Sequence, residues 1–89
     1  MGAVTEAIRR KLEAAFAPSR LDIVDDSEKH HGHAGHREGG ESHFTVIIEA
    51  PAFAGVSRVE RQRQVNRALA EELAGPVHAL SIKASAPGE

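Results

Sequence analysis

The stretch from Asp25 to Gly40 constrains this chain most: it holds four His, four Gly and almost nothing apolar. No core can form from such a segment, so it reads as a mobile loop. The fold must be assembled from the sequence on either side of it. In a chain of 89 residues that means a single small domain, spanning 1–89, with a core of limited size. The loop is expected at 27–41, and the tail at 86–89 is expected to fray. Hydrophobic residues make up 40% of the chain, which suits a folded protein rather than a disordered one.

The flanks read as five elements. Val4, Ala7, Ile8, Leu12, Ala15 and Phe16 follow the spacing of one buried helical stripe, ended by Pro18. Leu21 to Val24 is a short strand, and Phe44 to Ala50 alternates as a second one. Ile47 lies on the opposite face from Phe44, Val46 and Ile48, so the second strand reads as central or covered. Pro51 to Val56 is a turn, with room for one helical turn of its own. Ser57 and Glu60 then form a capping box. The helix it opens buries Val65, Leu69 and Leu73 and runs to about Ala74, where Gly75 and Pro76 end it. Val77 to Ala84 is the last strand. The simplest packing is α/β (α+β): a mixed three-stranded sheet, antiparallel across the hairpin and parallel across the crossover, with helices packed on one face.

Histidine is the main chemical resource. Five of the six lie within 14 residues, at His30, His31, His33, His36 and His43, and His78 stands alone. Imidazole is the commonest protein metal ligand and changes charge near neutral pH. The loop cluster is read two ways, as a supply of metal ligands or as a solvated loop rich in His, and it matches no zinc spacing. His78 shares strand parity with Leu80 and Ile82, which suggests a partly buried, hydrogen-bonded histidine. It also stands at a strand start, where a side chain can reach the surface. His43 reads as structural, part of the polar lead-in Glu41-Ser42-His43 to the second strand.

Cysteine is absent, so a disulfide framework and a cysteine nucleophile are excluded, and any thiolate at a metal site must come from a partner. Net charge is −2 and the pI about 6.3, which gives no strong pull toward nucleic acid or an anionic membrane. Arg58, Arg61, Arg63 and Arg67 on the second helix could contact phosphates; the alternative is a solvated face balanced by Glu60, Glu71 and Glu72. No nucleophile elbow, P-loop or dinucleotide fingerprint is present, and adjacent Asp25 and Asp26 point apart, so an enzyme is not expected. The opening Met1-Gly2-Ala3-Val4-Thr5-Glu6 has no apolar signal region, and no run approaches a membrane span. A cytoplasmic, bacterial protein is expected, with no membrane partner and no small-molecule substrate.

An ordered set of motifs is more specific than any one of them: Asp25-Asp26-Ser27, His30 and His33 with Gly32, Gly40-Glu41-Ser42-His43-Phe44, Phe53-Ala54-Gly55-Val56-Ser57, Arg61-Gln62-Arg63 and Val77-His78-Ala79-Leu80. This set resembles the BolA family over roughly Val4 to Pro87. The resemblance implies a fold similar to the class II KH domain, in the order αββ(α)αβ. It also implies a partnership with a monothiol glutaredoxin and a 2Fe–2S cluster shared with that protein and with glutathione. Two thiolates would come from the partner side. The ligand on this side would be the His of His-Ala-Leu, here His78, with a second from the loop between the first two strands. One subgroup has Cys there and another has His; this chain resembles the His subgroup. His30 is the best match by position, His33 the second, and His31 and His36 are weaker. Imidazole in place of thiolate occurs in Rieske centres, and protonation of such a ligand would release the cluster.

The resemblance has a departure. Where the family has Arg-His-Arg, this chain has Arg61-Gln62-Arg63, so no role of that middle His carries over. The family also implies an alternative function, a DNA-binding transcriptional regulator, which would use Arg58, Arg61, Arg63 and Arg67 and the Phe53–Ser57 approach. The lack of a Gly-x-x-Gly clamp weakens that reading.

Overall fold

A computed structural model describes residues 2–26 and 43–89. Helix α1 spans Ala3–Phe16 and buries Thr5, Ile8 and Leu12 along one stripe. It ends at Ala17, which takes the left-handed conformation (φ 47°, ψ 57°) and donates its N–H to the Glu13 carbonyl. Pro18 then has no N–H with which to continue the helix.

Strands β1 (Arg20–Asp25) and β2 (His43–Glu49) pair antiparallel, with Leu21 opposite Ile48 and Ile23 opposite Val46. Alternation sends Phe44, Val46 and Ile48 into the core and leaves Ile47 half-buried on the other face. A short 3-10 turn at Pro51–Phe53 buries Phe53, and Gly55 follows with φ 76°, a backbone conformation that favours glycine. Helix α2 (Arg58–Ala68) opens on the expected cap: the Ser57 hydroxyl accepts from the Glu60 N–H at 3.2 Å.

The second helix departs from expectation. It is interrupted at Leu69 (φ −106°, ψ 23°), and a separate α3 covers Ala70–Ala74. Leu69 still donates to Val65 and accepts from Leu73, so the break is a kink at a deeply buried residue. Neither Gly nor Pro stands there to mark it in the sequence.

Strand β3 (Ala79–Ser85) runs parallel to β2, with Phe44 beside Leu80, Val46 beside Ile82 and Ile48 beside Ala84. The sheet order is β1-β2-β3, with β2 central. Ile8 and Leu12 of α1, Val65 of α2, and Leu69 meet Phe44, Val46 and Ile48 in one core, so the helices cover one face, as expected. Lys11 Nζ ties α1 to α3 by bonding Glu71 at 2.6 Å and Glu72 at 2.8 Å. Glu71 holds the Lys11 ammonium above its ordinary range, and the Glu71 carboxyl is lowered in turn.

The tail at 86–89, expected to fray, is instead folded back. Ala86 is buried and donates its N–H to the Glu89 carboxylate at 3.0 Å, while the Glu89 N–H returns to the Ala86 carbonyl at 3.1 Å. Among the described residues no helix is long and apolar enough to cross a membrane.

Candidate functional site

Because β2 and β3 are parallel, both begin at the same end of the sheet. His43 stands in register with Ala79, and His78 immediately precedes that residue. The two imidazole rings lie 6.4 Å apart, centroid to centroid, tilted by 52°. His78 is exposed and His43 half-buried. The expected partly buried histidine on the Leu80–Ile82 face is therefore corrected: β3 starts at Ala79, so His78 lies before the strand and has no strand parity. Its backbone is nonetheless held. Val77, next to it, is buried and donates to the Glu72 carbonyl at 2.9 Å.

The same corner receives both ends of the segment 27–42. β1 ends with Asp25 opposite Phe44, and the Thr45 hydroxyl donates to the Asp26 carboxylate. That segment therefore leaves and rejoins the fold beside the two histidines. His30 and His33, with His31 and His36, lie outside the described residues. His43, read from sequence as a strand lead-in, turns out to be the neighbour of His78. The signal was present: if β2 and β3 are parallel, residues at their starts are adjacent.

Among the described residues no three His, Asp or Glu side chains converge on a point that could hold a metal ion. Two imidazoles do share this corner, and nitrogen donors of this kind suit iron and zinc.

The opposite end of β3 is built differently. Arg61, proposed from sequence as a phosphate contact, is buried. Its Nε donates to the Val56 carbonyl at 2.9 Å and its Nη1 to the Ala84 carbonyl at 3.1 Å. Two further bonds run in parallel to the Glu89 carboxylate, at 2.7 and 2.6 Å, and the guanidinium lies 6.0 Å from the Phe53 ring centre. The Arg61 hydrogen bonds, then the Ala86 N–H, hold the Glu89 carboxyl at about 2 against its ordinary 4.5. Arg61 is thus a structural residue, because its donors are engaged within the fold. Its neighbour Gln62 donates from Nε2 to the Ile82 carbonyl at 2.8 Å. Together the two side chains cap carbonyls on the outer edge of β3, which would otherwise be open to another strand. Arg58, Arg63 and Arg67 remain exposed, with Arg63 3.9 Å from Glu60.

Comparisons with known proteins agree with this architecture. The family described as BolA-like protein matches residues 12–89. Human BolA-like protein 1 is 46% identical over 89 residues, covering 100% of this chain and 62% of the human protein. The chain thus spans less than two thirds of that relative's length. The DNA-binding transcriptional regulator BolA of Escherichia coli (strain K12) is 42% identical over 79 residues, covering 89% of this chain and 71% of the regulator. The solved BolA domain of SufE1 from Arabidopsis thaliana matches with a TM-score of 0.85 at 41% identity, covering 98% of this chain and 95% of that domain. With the family matched from the last turn of α1 through β3 and a BolA domain of similar backbone, the chain belongs to the BolA-like family.

Proposed function

We propose that this BolA-like protein pairs with a monothiol glutaredoxin and shares a 2Fe–2S cluster with it, for cluster assembly or transfer or for iron sensing. The observation that supports this reading is the exposed His78 beside His43, at the corner where segment 27–42 meets the sheet. In this reading His78 is one ligand and His30 the second, with His33 the next choice. His43 joins them as a competitor for the second position, on its distance from His78. Thiolates of the glutaredoxin and of glutathione complete the set. When bound, such a cluster supplies redox-active iron with mixed thiolate and imidazole ligation. The contribution of this chain is to present neutral imidazole nitrogens from a held backbone. Protonation removes those donors, so acid weakens the pairing. No bond-making step falls to this chain, and its role is that of a binding partner.

The test is a visible absorption and circular dichroism titration of the protein into a cluster-loaded monothiol glutaredoxin with glutathione. Wild type should change the spectrum and saturate near equimolar. His78→Ala should abolish the change, and His30→Ala, His33→Ala and His43→Ala should identify the second ligand by which spectrum shifts. A His78→Ala protein giving the wild-type spectrum would sink the proposal.

A second reading, a DNA-binding regulator, is favoured by the Escherichia coli relative and by exposed Arg58, Arg63 and Arg67. It loses Arg61. Duplex binding should fall with salt, and Arg63→Gln with Arg67→Gln should flatten that dependence. Absence of salt-dependent binding removes this reading.

A further inference from the structure

A cleft of about 290 Å³ opens along the outer edge of β3, lined by Ile47, Arg58, Gln62, Ile82, Lys83, Ala84 and Ser85. It lies toward the end of β3 away from His78, so the cluster reading makes no use of it. Its composition is specific. Half-buried Ile82 and Ala84 on the helix side of the sheet, and Ile47 on the other side, give it apolar surface, Ser85 a hydroxyl, and Arg58 and Lys83 two cations, both exposed. Arg58 is the smallest of the influences that lower the Glu89 carboxyl, and both Glu89 oxygens are bonded to Arg61. Gln62, the position where this chain departs from Arg-His-Arg, lines the cleft and is fixed there by its bond to the Ile82 carbonyl. A neutral amide therefore stands where a titratable imidazole would otherwise stand.

We propose that this cleft binds a small organic anion, a carboxylate or phosphate carried on a compact apolar body. The charged group would pair with Arg58 and Lys83, and the apolar body would lie against Ile82 and Ala84, on the side of β3 that carries α2. The volume falls near the lower end of small-molecule sites, about 300 Å³, which suits a single ring or a short branched chain. Positive charge beside apolar surface is the combination that distinguishes such a ligand from inorganic phosphate, which offers charge alone.

The experiment is a heteronuclear NMR titration of the full chain with phenyl phosphate, benzoate and inorganic phosphate as probes. Phenyl phosphate or benzoate, whichever carries the preferred head group, should shift the amides of Arg58, Gln62, Lys83 and Ser85 saturably and leave those of His43 and Ala79 unmoved. Inorganic phosphate should bind at least about tenfold more weakly, for want of apolar contact. Arg58→Gln and Lys83→Gln should each weaken the organic anion by about tenfold, with an otherwise unchanged spectrum showing that the fold is retained. Shifts that never saturate, affinity unchanged in both variants, or inorganic phosphate binding as well as the organic probes would overturn the proposal. So would a single-stranded oligonucleotide that displaces the probes with steep salt dependence, which would make the cleft part of a nucleic-acid surface. None of these outcomes depends on iron, so this inference and the cluster reading fail separately.

Discussion

The two ends of β3 both carry polar side chains that stand out in the sequence, and the fold treats them in opposite ways. At one end His78 is exposed beside His43, on backbone held by Val77. At the other, Arg61 is buried against Phe53 with its donors engaged by Val56, Ala84 and Glu89. A saturated polar group stabilises the fold and has nothing left to offer a ligand. An exposed one on rigid backbone costs little to keep available. The contrast gives Arg61 a structural role and leaves the His78 ring available to a ligand.

The largest effect should come from removing the ring that supports the arginine end. Phe53 is fully buried and packs 4.9 Å from the Phe16 ring. Phe53→Ala should lower unfolding free energy by about 3–5 kcal/mol, a large share of the stability of so small a domain. Urea unfolding measures it; a loss below about 1 kcal/mol would mean the arginine end is not what consolidates the fold.

Next comes the Arg61–Glu89 pair, read through pH. The folded Glu89 carboxyl lies at about 2, below its ordinary 4.5. Because the folded value is depressed, the stability it contributes is fully present above 4.5 and is lost as pH falls toward 2. Denaturant midpoints should fall across that window, and Glu89→Gln should remove part of the slope. With the Glu89 side chain nearly half exposed, solvent screening keeps this effect below that of Phe53→Ala. Equal slopes in wild type and Glu89→Gln would show that the pair does not form in solution.

Ser57→Ala comes third, at about 1 kcal/mol, since it removes the acceptor for the Glu60 N–H at the start of α2. It tests the helix that delivers Arg61 rather than Arg61 itself. A normal Arg61–Glu89 pH slope should persist in this variant, and its loss would show that the clamp depends on the cap.

Much of this was legible in advance, and the reasons are local. Alternation gave Phe44, Val46 and Ile48 their face, the capping box gave the start of α2, and the crossover gave the parallel pair. Arg61 was legible but misread: it precedes Val65 and Leu69 at four-residue spacing, on the buried stripe, where a charged residue needs partners. Its partner Glu89 lies 28 residues away, and no periodicity reports a contact that distant. His43 and His78 differ in this respect: they meet because two parallel strands start together, which the crossover already implied. The break at Leu69 left no trace, since neither Gly nor Pro stands there.

The smallest stability effect should be at the histidine end, and it is the one that decides the comparison. His43→Ala and His78→Ala remove rings that are half-buried and exposed, so each should change unfolding free energy by no more than about 0.5 kcal/mol. The two rings are close enough to interact, so the double variant should be made as well. If its loss equals the sum of the single losses, the two rings have no mutual structural role. A loss above about 1 kcal/mol for His78→Ala would mean that its imidazole is a structural partner of the fold. The histidine end would then resemble the arginine end, and the exposure of His78 could no longer argue for a ligand role.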